Sequence, residues 1–136
     1  MADGTEEQNE LAERLAQVAG AEDARLVTTD AASGEPRETV LYFAVAGRSV
    51  YLLAGAGEET PWVRDIRARP EATIHIGGEA FRGTAHVIQA ADHAAKDAIV
   101  RRLLATKYER WREGKPLSSW ARIALPVALE VTAVAG

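Results

Sequence analysis

The sequence predicts an α+β fold in which about six mostly antiparallel strands form a barrel flanked by short helices. Three observations carry this. Short runs between residues 24 and 134 are rich in β-branched and aromatic residues, the clearest with a period of two. Tight glycine turns join several of these runs, Gly47-Arg48 and Gly77-Gly78 most plainly. Helical spacing intervenes only briefly, so the pattern is not the strand–helix–strand repeat of a parallel sheet.

The elements follow in order. Thr5-Glu6-Glu7-Gln8 has the form of a capping box, and Leu11, Leu15 and Val18 recur at helical spacing before Gly20. A helix is therefore expected over about 5–19, ahead of a barrel over about 24–134, all in a single domain spanning 1–136. Leu26 to Thr29 reads as the first strand, and Ser33-Gly34-Glu35-Pro36 turns the chain. Thr39 to Val45 reads as the second strand and Val50 to Leu53 as the third. Pairing Val45 with Val50 puts Leu41, Phe43 and Leu52 on one face. The other face carries Val40, Tyr42, Tyr51 and Leu53, so both sides are expected to be covered, by helices or by a second copy in a homodimer.

Thr60-Pro61 announces a short helix that ends near Ala68, before Pro70. Two strands follow around Gly77-Gly78. Pairing Ile76 with Glu79 places Ile74, Ile76, Phe81, Ala85 and Val87 on a dry face, with Thr73, His75, Arg82, Thr84 and His86 opposite. Asp92 is the expected cap of a longer helix to about Tyr108, with Ala95, Ile99, Leu103 and Leu104 as its core face. Ser118 or Ser119 caps a brief turn carrying Trp120, and Leu125 to Val134 closes the barrel.

Composition removes several classes of function. With 47% hydrophobic and 26% charged residues, the chain of 136 residues can bury a core without disulfides. It has no cysteine, which excludes thiolate metal sites and cysteine nucleophiles and fits a cytoplasmic setting. The net charge of −4 disfavours a general nucleic-acid or membrane-surface binder. The first ten residues are acidic, so no signal peptide is expected, and no run is apolar enough to span a membrane. His75 and His86 share a face, but six residues of strand span about 20 Å, too far to share a metal ion. Nothing resembles a nucleophile elbow or a dinucleotide fingerprint.

What remains is an arrangement suited to an anion. Gly55-Ala56-Gly57 lets the backbone approach a ligand, and the helix start at Thr60-Pro61 presents free amides. Arg37, Arg64 and Arg67 are candidate phosphate forks, while Glu58 and Glu59 put negative charge beside the same loop. Farther along, Lys107, Tyr108, Arg110, Trp111, Arg112 and Lys115 form a basic aromatic stretch. Its aromatics either pack the helix end onto the barrel or line a ligand mouth.

Two segments carry a resemblance. Thr28-Thr29 through Ser33-Gly34-Glu35-Pro36-Arg37, and Pro61-Trp62-Val63-Arg64-Asp65-Ile66-Arg67-Ala68-Arg69-Pro70, are similar to conserved stretches of the deazaflavin-dependent nitroreductases. The resemblance implies an FMN-binding type split β-barrel, like that of pyridoxamine-phosphate oxidase. It also implies an oxidoreductase that passes a hydride from reduced deazaflavin coenzyme F-420, or from FMN, to a quinone, a nitro compound or a similar small acceptor. By position, Arg37, Ala54, Gly55, Ala56, Gly57, Thr60 and Trp62 would hold the coenzyme, with Arg64 and Arg67 standing in for missing cations, and Tyr108 would face the substrate. The chain departs from the family at Ala31-Ala32, where a basic pair is usual, and at Gly55, where lysine is usual. The alternative reading is a non-catalytic split barrel that binds a flavin-like cofactor or a small hydrophobic ligand, or one that serves only as a dimer module.

Overall fold

The computed structural model describes residues 2–135, with side chains described from residue 6. The first helix, α1 (Ala2–Val18), starts ahead of the expected capping box, whose Thr5 side chain lies outside the described residues. The remaining elements are β1 (Ala24–Thr29), β2 (Pro36–Leu41), β3 (Ala44–Ala46), β4 (Ser49–Ala54), α2 (Pro61–Ala68), β5 (Glu71–Ile76), β6 (Glu79–Val87), α3 (Ala94–Glu109), α4 (Ser119–Ile123) and β7 (Leu125–Val134). They form one seven-stranded sheet in the order β2-β1-β5-β6-β7-β4-β3, with every pairing antiparallel.

The expected second strand is two strands. Val45 does pair with Val50, but the hairpin ends at Ala44↔Tyr51, and residues 36–41 pair instead with β1. β2 and β3 therefore lie on opposite edges of the sheet, although only Tyr42 and Phe43 separate them. Three Cα steps reach at most about 11 Å, so the sheet must curl until its two edges meet there. The result is a half-barrel whose edges approach at this crossover, with no β2–β3 pairing among the described residues. It leaves Val40 65% and Tyr42 51% exposed, while Tyr51 and Leu53 are covered by α3, so the second face is buried only in part.

Period-two alternation divides the apolar side chains between two clusters. Val50, Leu52, Val127, Leu129, Ile74 and Phe81 point inward and meet Leu11 and Leu15 of α1 and Trp62, Val63 and Ile66 of α2. Tyr51, Leu53 and Ala128 point outward under Val100 and Leu104 of α3. Burial of each large aliphatic or aromatic side chain contributes about 1.5–3 kcal/mol. The β5–β6 hairpin keeps the expected register, Ile76 opposite Glu79, around Gly77 (φ 55°) and Gly78 (φ 86°).

Two expectations about α3 are corrected. His93, not Asp92, is its N-cap, and its buried face is Val100, Leu104 and Ala105, with Ile99 53% exposed. Polar anchors set this rotation. Arg101 pairs with Asp97 at 2.7 Å and donates to the carbonyls of Ala121 and Ala124, while Tyr108 is held by backbone across the barrel seam. Ser118 caps α4 by accepting the Ala121 amide.

Candidate functional site

Strand register gathers the candidate residues at one rim of the barrel. Tyr42, in the crossover between β2 and β3, meets Trp120 of α4 edge-on. β4 ends at Ala54, paired with Leu125 at the start of β7, and α4 with Trp120 leads directly into that start. The Gly55–Gly57 loop, the Tyr42 crossover and the Trp120 helix therefore share this end. α2 begins here too, directly after the loop.

The loop is built to leave backbone accessible. Ala54 is buried, Gly55 and Ala56 are exposed, and Gly57 takes φ 62°, a value that favours glycine. A single 3-10 turn, Gly57–Glu59, then leads to Thr60 as N-cap and Pro61 as the first residue of α2. Thr60 does not cap its helix through its side chain. Its hydroxyl is buried, and among the described residues it has no hydrogen-bond partner. An unmatched buried hydroxyl costs about 1–3 kcal/mol, and this one stands at the start of α2, where the helix dipole favours an anion. Trp62 is 3% exposed within the main core, so position 62 reaches a ligand only through its backbone.

The three arginines are occupied. Arg37 donates from Nε to Asp65 at 2.7 Å and also pairs with Asp30. Asp65, 1% exposed, further accepts the Thr28 hydroxyl at 2.7 Å and the Ala31 amide at 2.9 Å. Arg37 thus ties the β1–β2 turn to the flank of α2, and the hydrogen bond to Asp65 pushes its pKa up. Asp30 accepts the amides of Ser33 and Ala32, which hold its carboxyl below the usual range. Arg64 pairs with Glu59 at 3.0 Å, and Arg67 holds Glu58 through both carboxylate oxygens at 2.8 and 2.7 Å. That hydrogen bond lowers Glu58 below its ordinary value and raises Arg67. All three arginines, expected to face a coenzyme, face carboxylates of the chain instead: Arg37 meets Asp65 and Asp30, Arg64 meets Glu59, and Arg67 meets Glu58.

An aromatic shelf stands at the Tyr42 crossover. The rings of Tyr42 and Tyr108 stack at 4.0 Å with 10° between planes, and Trp120 meets Tyr42 edge-on at 5.9 Å. With Glu109 they line a cavity of about 330 Å³. The Tyr108 hydroxyl accepts the Phe43 amide at 3.1 Å and donates to the Glu22 carbonyl at 2.8 Å, bridging the two sides of the barrel seam. Burial raises its pKa. With both its proton and its acceptor engaged, Tyr108 offers a ligand its ring, not its proton. Trp111 packs near the helix end, its indole N–H donating to the Lys115 carbonyl at 2.7 Å. Sequence reasoning missed the Tyr42–Trp120 contact and the role of Asp65, because both join segments far apart in the chain. The only local signal was an aromatic pair, Tyr42-Phe43, at a strand break.

A curled antiparallel barrel with a glycine loop, a helix start and an aromatic shelf at one rim defines the split β-barrel class of cofactor-binding proteins. Solved structures of this fold superpose on it. A candidate pyridoxamine 5'-phosphate oxidase from Listeria innocua has a TM-score of 0.67 and 16% identity, covering 93% of this chain and 96% of that one. A candidate 5-nitroimidazole antibiotic resistance protein from Bacteroides thetaiotaomicron gives 0.69 and 14%, covering 90% and 80%. An F420-H2 dependent reductase (FDR-A) gives 0.61 and 18%, covering 80% and 94%. At such identities the likeness concerns the fold. None of the curated proteins matches the chain. The F420H(2)-dependent quinone reductase family matches residues 4–118, and the chain belongs to it. Membership makes the chain an oxidoreductase of the deazaflavin-dependent class, with coenzyme F420 as its cofactor. The buried Thr60 hydroxyl and the accessible loop backbone fit the acidic end of such a coenzyme, and the aromatic shelf fits its flat ring.

Proposed function

We propose that the chain reduces a small, flat, activated acceptor, a quinone in the first place and a nitro compound in the second. The observation that carries this is the aromatic shelf of Tyr42, Tyr108 and Trp120, which lines a cavity of about 330 Å³. When bound, the reduced coenzyme supplies a hydride, and a quinone that takes it and one proton leaves as a hydroquinone. The protein's part is placement. Thr60 and the backbone of 54–57 hold the acidic end, while Tyr42 and Trp120 orient flat rings and keep water from one face. Tyr108 keeps that shelf rigid by fastening the seam beneath it. The Tyr108 proton is engaged by the Glu22 carbonyl, so this hydroxyl is not the acid, and the proton comes from solvent.

One observation favours the second reading, a barrel that binds without turnover. The carboxylates of Glu58 and Glu59 already occupy the arginines nearest the loop. An anaerobic assay separates the two readings. Reduced deazaflavin coenzyme and menadione are mixed with the protein, with FMN in a parallel arm. Protein-dependent oxidation of the coenzyme supports the reductase. Saturable binding without oxidation supports the binding module, and binding of FMN alone overturns the choice of coenzyme.

A further inference from the structure

A second cavity, of about 370 Å³, lies between α3, the end of α1 and the outer edge of β3. Ile99, Arg102, Leu103, Thr106 and Lys107 line it at three- and four-residue spacing, so one face of α3 forms its floor. Val45 stands opposite, and its backbone is open. The Arg48 carbonyl accepts the Val131 amide, so alternation gives Val50 its bonds to β7 and leaves Ala44 and Ala46 to bond β4. The backbone N–H and C=O groups of Phe43 and Val45 then face away from β4. The outward groups of Phe43 are taken by the Tyr108 hydroxyl and, at 3.0 Å, by the Lys107 ammonium. Those of Val45 stay at the cavity wall.

The charges here are unbalanced. No carboxylate lines the cavity, and among the described residues neither Lys107 nor Arg102 forms a salt bridge. The Lys107 nitrogen sits 3.5 Å from the centroid of the fully buried Phe43 ring and retains two unused N–H groups after bonding its carbonyl. Burial alone acts on it and pushes its pKa below the ordinary lysine range. A large apolar side chain, Ile99, is left 53% exposed at the same place. A free phosphate would leave the apolar wall in water, and a neutral apolar molecule would leave the half-buried Lys107 ammonium without an anion, while exposed Arg102, 5.8 Å from the Trp111 ring, stands at the edge of the same cavity.

We propose that this cavity binds an amphipathic monocarboxylate, its carboxylate between Lys107 and Arg102 and its apolar body along Ile99 and Leu103. The site is separate from the aromatic rim, since Tyr42, Tyr108 and Trp120 do not line it. The test is a calorimetric titration of the intact chain, without coenzyme, with decanoate and with decanamide as its neutral counterpart. Decanoate is expected to saturate one site, and decanamide to bind at least about tenfold more weakly, the loss that one charge-assisted hydrogen bond implies. Arg102→Gln should weaken decanoate by about tenfold and leave deazaflavin binding unchanged, which separates this proposal from the reading of the rim. Ile99→Glu, at an exposed position, should melt like the parent yet abolish decanoate binding. Equal binding of amide and carboxylate, no saturable binding, or unchanged affinity in both variants overturns the proposal. So does a dimer in sedimentation that Ile99→Glu dissociates, because the occupant is then a second copy.

Discussion

Asp65 shows how one residue can serve architecture in a segment that reads as cofactor-binding. Its carboxylate collects the Thr28 hydroxyl, the Ala31 amide and the Arg37 guanidinium while almost wholly buried. Removing it leaves those donors unmatched, so Asp65→Ala is expected to cost about 3 kcal/mol in chemical denaturation. A loss under about 1 kcal/mol would show that water replaces the carboxylate. Tyr108 is the second residue to test. Its pKa is raised above the ordinary 10.0, chiefly by burial, so its contribution to stability is intact below pH 10 and is lost as pH rises through the folded-state value. Tyr108→Phe should therefore remove part of the alkaline loss of stability and cost about 1–2 kcal/mol at neutral pH by unfastening Phe43 and Glu22. Neighbouring Lys107 titrates with the opposite sign, since burial lowers its pKa, and the comparison of parent with variant cancels it.

Among elements, α2 was the most legible, because Thr60, Pro61 and Pro70 mark both of its ends with backbone chemistry. What its side chains touch was not legible. The partners of Arg37 come from the turn behind it and from α2 itself, and the partners of Arg64 and Arg67 from the 3-10 turn. Two exposed glutamates thus hold the cations that the proposed site would otherwise offer an acidic group. The double variant Glu58→Gln, Glu59→Gln should tighten deazaflavin binding several-fold in a fluorescence titration, with almost no change in stability, because exposed ion pairs contribute about 0–1 kcal/mol. Weaker binding would mean that the two straps preorganise the loop. α3 carries the opposite lesson. Its length followed from periodicity, but its rotation did not, because Arg101 and Tyr108 bind backbone carbonyls and amides that no helical pattern reports.

For the whole molecule, the period-two alternation, the glycine turns and the antiparallel character of the sheet were readable, and the β5–β6 register matched to the residue. The break after Leu41 was not, because Thr39 to Val45 is one unbroken run of mostly apolar, strand-forming residues, while only curling of the sheet divides it between opposite edges. Gly83 marks a second global constraint. The β6–β7 register shifts between Arg82 and Gly83, and a Cβ at Gly83 would overlap the Glu130 backbone. Gly83→Ala should cost about 1–3 kcal/mol, in the range of overpacked sites, where an ordinary strand glycine would gain stability. The rim where seam, loop and helix start converge is tested most directly by Thr60→Val, with the affinity for reduced deazaflavin coenzyme and the thermal stability measured on the same samples. The expected result is a coenzyme affinity about tenfold lower, with stability equal to or above that of the parent, since valine fills the same space without a hydroxyl to match. Unchanged affinity together with lost stability would contradict it, because the hydroxyl would then be serving the fold and not a ligand.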